Sequence, residues 1–148
     1  MKLLQQSVSS VIAEGRIGSP VFLRCMVQIP LTGASVVSSM AAVAAVANTW
    51  MPSKPERIYV PDKLAATQMT AMVQYAGGQT AMLSVNRIPA VGEASVNLML
   101  VGNKGVIHHD TPAERHRRMQ PPIEFSGGEE LIAPIETALK TNTPVQFN

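Results

Sequence analysis

A single cysteine, Cys25, in 148 residues excludes a disulfide within the chain and makes a reducing, cytoplasmic setting the simplest expectation. Aromatic residues are only 4% of the sequence, and none interleaves with the basic run from Arg115 to Arg118, so nucleic acid is not an expected partner. Charge is equally thin. At 15% charged residues and a net charge of +2, no field of either sign is strong enough to hold a polyanion or an acidic membrane. The chain opens with Lys2 and two leucines, but Gln5, Gln6 and Ser7 interrupt the apolar run, so no secretory signal is expected. No uncharged helix reaches the ~20 residues that span a bilayer, and no membrane partner is expected.

What the sequence does have is a long uncharged stretch. No charge occurs between Arg24 and Lys54, and inside that run lies TGASVVSSMAAVAAVANTWM, Thr32 to Met51. Val36, Met40, Val43, Ala47 and Trp50 recur at helical spacing. The opposite side, Ser35, Ser39, Ala42, Val46 and Thr49, is small and mostly uncharged, unlike a solvated face. The pattern predicts a central helix over 32–51, covered on both sides, entered through Thr32 and Gly33 and stopped by Pro52.

Around it the chain reads in order. An entry helix lies within 1–15 and stops at Gly15. Pro20 to Ile29 reads as a strand, followed after the central helix by a short strand from Glu56 to Val60. Met69 to Ala76 and Thr80 to Ile88 flank Gly77-Gly78, a two-glycine hairpin signal. With that turn as a two-residue loop, Val73 faces Met82 and Met72 faces Leu83, which puts Met72 and Met82 on opposite faces. A second hairpin pairs Ala94–Val101 with Val106–Asp110. It sends Leu98, Leu100, Ile107 and His109 to the better core face, and Asn97, Met99, Val101, Val106, His108 and Asp110 to the other. Thr111 to Pro122 reads as a polar loop. A late helix spans 129–140, its continuous part starting near Ala133 because Pro134 is tolerated only in a first turn, and Pro144 to Phe147 form a terminal strand. The expected fold class is α+β: one domain over 1–148, with a mainly antiparallel sheet, its strands concentrated in 56–110, and helices packed on one face.

AEGRIGSPVFLR, PERIYV, MVQYAGGQTAMLSVNRI, LMLVGNKGVIHHD and IAPIETALKTNTPV, in that order and spacing, resemble the C-terminal domain of Gfo/Idh/MocA-type oxidoreductases from about Ser10 to Gln146. The resemblance implies a sheet with helices on one face and an outer face that often forms an oligomer interface. It also implies differences. Members carry an N-terminal Rossmann domain and a Glu-Lys-Pro segment, whereas neither G-x-G-x-x-G nor Glu-Lys-Pro occurs here. Where members present an Asp and a His from the central helix, this chain offers Ser38, Ser39, Met40, Ala41 and Ala44, none of which is a useful proton donor.

Several side chains are candidates for other chemistry. His108, His109, Asp110, Glu114 and His116 are the densest set of metal-ligand types. Adjacent strand residues point to opposite faces, so a solvated sheet end is the simpler reading and no metal site is expected. The basic run Arg115, His116, Arg117 and Arg118 reads as a solvated loop. Ser35, Ser39, Asn86, Arg87 and His108 are the candidate ligand-binding residues, with Arg87 able to anchor an anion. Met72, Met82 and Met99 are the candidate interface residues, because one sheet with few helices cannot cover two apolar faces unaided. The resulting expectation is a stand-alone or truncated domain, without catalysis of its own, that self-associates through the open sheet face or joins a Rossmann-domain partner chain. NAD or NADP would enter only through such a partner. The alternative is the substrate-binding half, or a fragment, of an NAD(P)-dependent oxidoreductase.

Overall fold

A computed structural model describes residues 2–31, 35–61, 67–90, 92–111 and 126–147. The elements run α1 (Lys2–Ala13), β1 (Pro20–Pro30), α2 (Val36–Trp50), β2 (Pro55–Tyr59), β3 (Gln68–Tyr75), β4 (Thr80–Ile88), β5 (Ser95–Gly102) and β6 (Val106–Asp110), then a 3-10 turn (Glu129–Leu131), α3 (Ile132–Thr141) and β7 (Val145–Gln146). The strands form one seven-stranded sheet in the order β6-β5-β1-β4-β3-β2-β7. Among the described residues only the central pair, β1 and β4, runs parallel, and the other pairings are antiparallel. Antiparallel neighbours need only short turns, whereas the parallel pair requires the crossover that α2 begins. This is the expected α+β architecture.

The core lies on one side of the sheet. Leu23, Cys25 and Val27 of β1, Ala81, Leu83 and Val85 of β4, Ala71, Val73 and Tyr75 of β3, and Val96, Leu98 and Leu100 of β5 are all buried. Each set alternates along its strand, as a half-covered sheet requires. Opposite them lies α2, which is buried at Val36, Met40, Val43, Ala47 and Trp50 and also at Ser39, Ala42 and Ala44. The expectation of a helix covered on both sides holds: α2 packs against β3 and β4 below and against α1, α3 and the 3-10 turn around it. The packing is tight at Gly128, where a Cβ would stand 2.4 Å from the Ala41 carbonyl oxygen. Only glycine fits there, and its φ of +82° asks for glycine as well.

Local chemistry explains most boundaries. Ser35 caps α2, its hydroxyl accepting the Ser38 N–H at 3.1 Å; the expected entry residues Thr32 and Gly33 lie outside the described residues. Asn142, in the left-handed conformation, closes α3 with its N–H on the Ala138 carbonyl. Pro134 falls in the first turn of α3, after the 3-10 turn has ended, which is the geometry its missing N–H permits.

One register expectation is corrected. The first hairpin closes through the Tyr75 N–H on the Gln79 carbonyl (3.0 Å) and the Gly78 N–H on the Tyr75 carbonyl (2.9 Å). Gly78 stands at a φ of 83°, so the loop is Ala76–Gly78, a three-residue turn ending in a left-handed glycine, and not a two-residue one. The extra residue slips the ladder by one. Met72 pairs with Met82, and Val73 with Ala81. Met72 and Met82 therefore share a face, opposite to Leu83 and Val73. The second hairpin keeps its two-residue loop, with the Gly102 N–H on the Gly105 carbonyl, and sends Leu98, Leu100, Ile107 and His109 to the core side as expected.

Candidate functional site

The face of the sheet away from the helices carries no element among the described residues, and its side chains are not those of an ordinary solvated sheet. Three rows cross it. One runs Val106, Val101, Phe22, Thr80, Gln74 and Arg57; the next His108, Met99, Arg24, Met82, Met72 and Tyr59; the third Asp110, Asn97, Met26, Ser84 and Thr70. The neighbours in each row are register partners on adjacent strands, so their side chains lie side by side. Met72 is 44% exposed and Met26 39%, although both stand inside a sheet. Val106 on the edge strand is 51% exposed.

Arg24 occupies the middle of this surface. Its Nη2 donates to Asn97 Oδ1 at 3.3 Å, while its Nε is buried without a partner. A buried, unpaired guanidinium N–H is costly. Arg24 was not among the candidates read from the sequence. Its signal was the single charge inside PVFLRCMVQI, one residue before a cysteine that the alternation buries.

At the β2 side the same face sinks into a groove of about 320 Å³, lined by Arg57, Tyr59, Met72, Gln74, Thr80 and Pro144. The Arg57 Nε donates to Gln74 Oε1, and Tyr59 reaches Asn142 Oδ1 at 3.4 Å. At the start of the central strand β1, a β-bulge lies between Pro20 and Phe22. Val21, the residue between them, is 43% exposed.

The candidate ligand-binding residues divide into two groups. Ser35, Ser39 and Arg87 come to one end of the sheet, where β1 and β4 finish and α2 starts. Each already has a structural partner there. Ser39 donates to the Ser35 carbonyl at 2.9 Å, Ser35 caps the helix, and Arg87 Nη2 donates to the Leu31 carbonyl at 2.8 Å. Arg87 Nε is buried and unpaired. Asn86 and His108 lie on the open face, Asn86 opposite Gln28 and Gln68, and His108 on the far edge opposite Met99. The structure does not gather the five into one site. It does gather the interface candidates: Met82 and Met72 are neighbours, and Met99 is separated from Met82 only by Arg24.

Cys25 faces the core, and burial pushes its thiol up to about 12, which leaves it protonated and inert. Tyr75 is also raised by burial, and its hydroxyl donates to Asn48 Oδ1 at 2.9 Å. Among the described residues no group of three or more His, Cys, Asp or Glu side chains could hold a metal ion; Glu114, His116 and the basic run lie outside them. No helix among the described residues is long and apolar enough to cross a membrane.

No family model and no curated protein matches the sequence. Solved structures do match the fold. The "probable dehydrogenase" from Thermotoga maritima superposes with a TM-score of 0.72 at 12% identity, over 96% of this chain and 60% of its own. The myo-inositol dehydrogenase from Corynebacterium glutamicum ATCC 13032 gives 0.71 at 13%, over 97% and 61%. The levoglucosan dehydrogenase solved with NADH gives 0.69 at 10%, over 95% and 62%. The fold is that of the Gfo/Idh/MocA C-terminal domain. At such low identity the likeness speaks for the fold alone, and the chain spans about 60% of the length of the first of these structures.

The residues present do not fit the dinucleotide that this fold accompanies in the levoglucosan dehydrogenase. A pyrophosphate needs a Gly-rich turn between a strand and a helix. Between β1 and α2 the sequence has one glycine, Gly33. In the Gfo/Idh/MocA-type frame the start of α2 presents Ser38, Ser39, Met40, Ala41 and Ala44. Of these Ser39, Met40, Ala41 and Ala44 are buried, and none can take or give a proton near neutral pH.

Proposed function

We propose that this chain is a Gfo/Idh/MocA-type C-terminal domain that acts by association through the open face of its sheet and does not transfer hydride by itself. The observation that carries this reading is the composition of that face: Phe22, Met26, Met72, Met82 and Met99 lie across its four central strands, with no helix over them among the described residues. Adaptable thioethers and an aromatic ring are the side chains of a contact surface. The setting in which this association takes place is cytoplasmic on this reading, in keeping with the lone reduced Cys25.

Sedimentation at increasing concentration tests it. Dimers or larger species are expected, and a monomer up to millimolar concentration rejects the open face as an interface. Calorimetric titration with NAD(H) and NADP(H) is expected to give no heat from this chain alone; micromolar binding would overturn the non-catalytic reading.

A second reading is favoured by the chain's 60% share of the Thermotoga maritima structure and by the NADH held in the levoglucosan dehydrogenase complex. Here the chain is the substrate-binding part of an NAD(P)-dependent oxidoreductase, and a separate Rossmann domain supplies the nucleotide. Recovery of such a partner on purification from the native host, with activity appearing only on mixing, would favour it over self-association.

A further inference from the structure

We infer that the groove at the β2 side of the sheet is a binding site for a small monocarboxylate with an aromatic or branched apolar body. The inference does not depend on the associative reading. The volume of about 320 Å³ lies within the range of small-molecule sites, about 300–1,000 Å³, and the lining joins one cation to apolar surface.

The cation is Arg57. It is exposed, and no carboxylate pairs with it among the described residues, where the ion pair found joins Arg16 to Glu14. No Asp or Glu lines the groove. Arg57 is nevertheless held in place: its Nε donates to Oε1 of Gln74, its register partner on β3. That contact leaves Nη1 and Nη2 without partners among the described residues. The two together form a fork that matches the two oxygens of a carboxylate. A side chain already tethered loses less freedom when a ligand arrives.

The apolar part lies one row along. Met72, 44% exposed, stands beside Tyr59, its register partner, with Pro144 on the rim. The Tyr59 hydroxyl is engaged with Asn142, so the tyrosine offers a ligand its ring. A thioether meets an aromatic edge favourably and adapts to its shape. At the far end of the row Arg57–Gln74–Thr80, the Thr80 hydroxyl is available to a polar substituent.

The charge count selects the class. One guanidinium, with no lysine or second arginine in the lining, balances a single negative charge, whereas a phosphate monoester carries about −1.5 to −2 at neutral pH. A neutral polyol would leave the guanidinium unanswered and set hydroxyls against Met72 and Pro144. A monocarboxylate with an apolar body satisfies both ends.

Phenylacetate is the probe, set against phenylacetamide, its neutral counterpart, and inorganic phosphate. NMR of the full chain with labelled methionine methyl groups reads the binding, the Met72 signal being assigned by its loss in Met72→Leu. Phenylacetate is expected to move that signal saturably, half-complete at or below about 1 mM. The signal of Met99, on β5 and three strands away, should stay in place. Phenylacetamide and phosphate should each bind at least ten-fold more weakly. Arg57→Gln, an exposed change whose folding circular dichroism verifies, should weaken phenylacetate at least ten-fold and erase its advantage over the amide. Arg57→Lys, which keeps the charge without the fork, should fall between. No saturable movement at Met72, or equal movement at Met99, overturns the site. Equal binding of acid and amide, tighter binding of phosphate, or unchanged affinity in Arg57→Gln overturns the carboxylate assignment. None of these results bears on association through the open face, which sedimentation reads separately.

Discussion

The two faces of the sheet are built from the same strands by the same alternation, and they differ in what each side chain meets. On the helix side, Leu23, Leu83, Leu98 and Leu100 are fully buried under α2 and its neighbours, each contributing about 1.5–3 kcal/mol through burial. On the other side, Met26, Met72, Met82 and Met99 alternate with Arg24, Gln28 and Asn97, and their burial is incomplete. Apolar character alone does not make a core. A second layer does, and the described residues supply that layer to one face only.

Neighbouring positions of β4 give the sharpest way to break the comparison. Leu83→Ala is expected to lower unfolding free energy by about 3 kcal/mol, because it opens a cavity in a closed core. Met82→Ala, one residue earlier and on the open face, should cost less than about 1 kcal/mol at concentrations where the chain is monomeric. Paired urea titrations measure both, and equal losses would show that the open face is packed as tightly as the core. Gly128→Ala tests the helix side at a point of tight packing: the clash with the Ala41 carbonyl and the left-handed backbone together predict a loss of about 2 kcal/mol, read as a fall in melting temperature.

Ser35→Ala removes the cap of α2 and should cost about 1 kcal/mol, with Ser35→Asp recovering most of it by offering a carboxylate to the same N–H groups. A further effect concerns pH. The Cys25 thiol lies at about 12 in the fold against an ordinary value of 9.0. Above pH 9 the unfolded chain loses this proton while the folded one keeps it, so stability is fully present below that pH and declines from there toward about 12. Unfolding titrations from pH 8 to 10.5 should show the decline begin. Cys25→Ala should reduce it, leaving the share of Tyr75, which acts with the same sign. At neutral pH a thiol reagent should label the native chain at the slow rate of global unfolding; rapid labelling would mean that the helix side opens.

Much of the architecture was legible in the sequence because it depends on local signals. The spacing of Val36, Met40, Val43, Ala47 and Trp50 placed α2. Pro134 placed the start of α3, and the second hairpin's register followed from its Gly102–Gly105 turn. The first hairpin was misregistered because two adjacent glycines fit more than one turn. Only the Tyr75–Gln79 closure, with Gly78 left-handed, selects the three-residue loop, and that one residue decides whether Met72 and Met82 share a face. Ser35 and Ser39 look like ligand donors in the sequence since serine hydroxyls serve capping and binding equally; their partners here are the backbone of α2 itself.

By itself the sequence determined the α+β class, the helix and strand positions and the scarcity of proton-transfer groups along α2. These follow from periodicity, turn chemistry and residue type, which are properties of short segments. The tertiary structure decided which face each strand turns outward and the gathering of three methionines around Arg24. Those depend on strand order and register, which bring together residues as far apart as Phe22 and Val106, and no local signal carries that information.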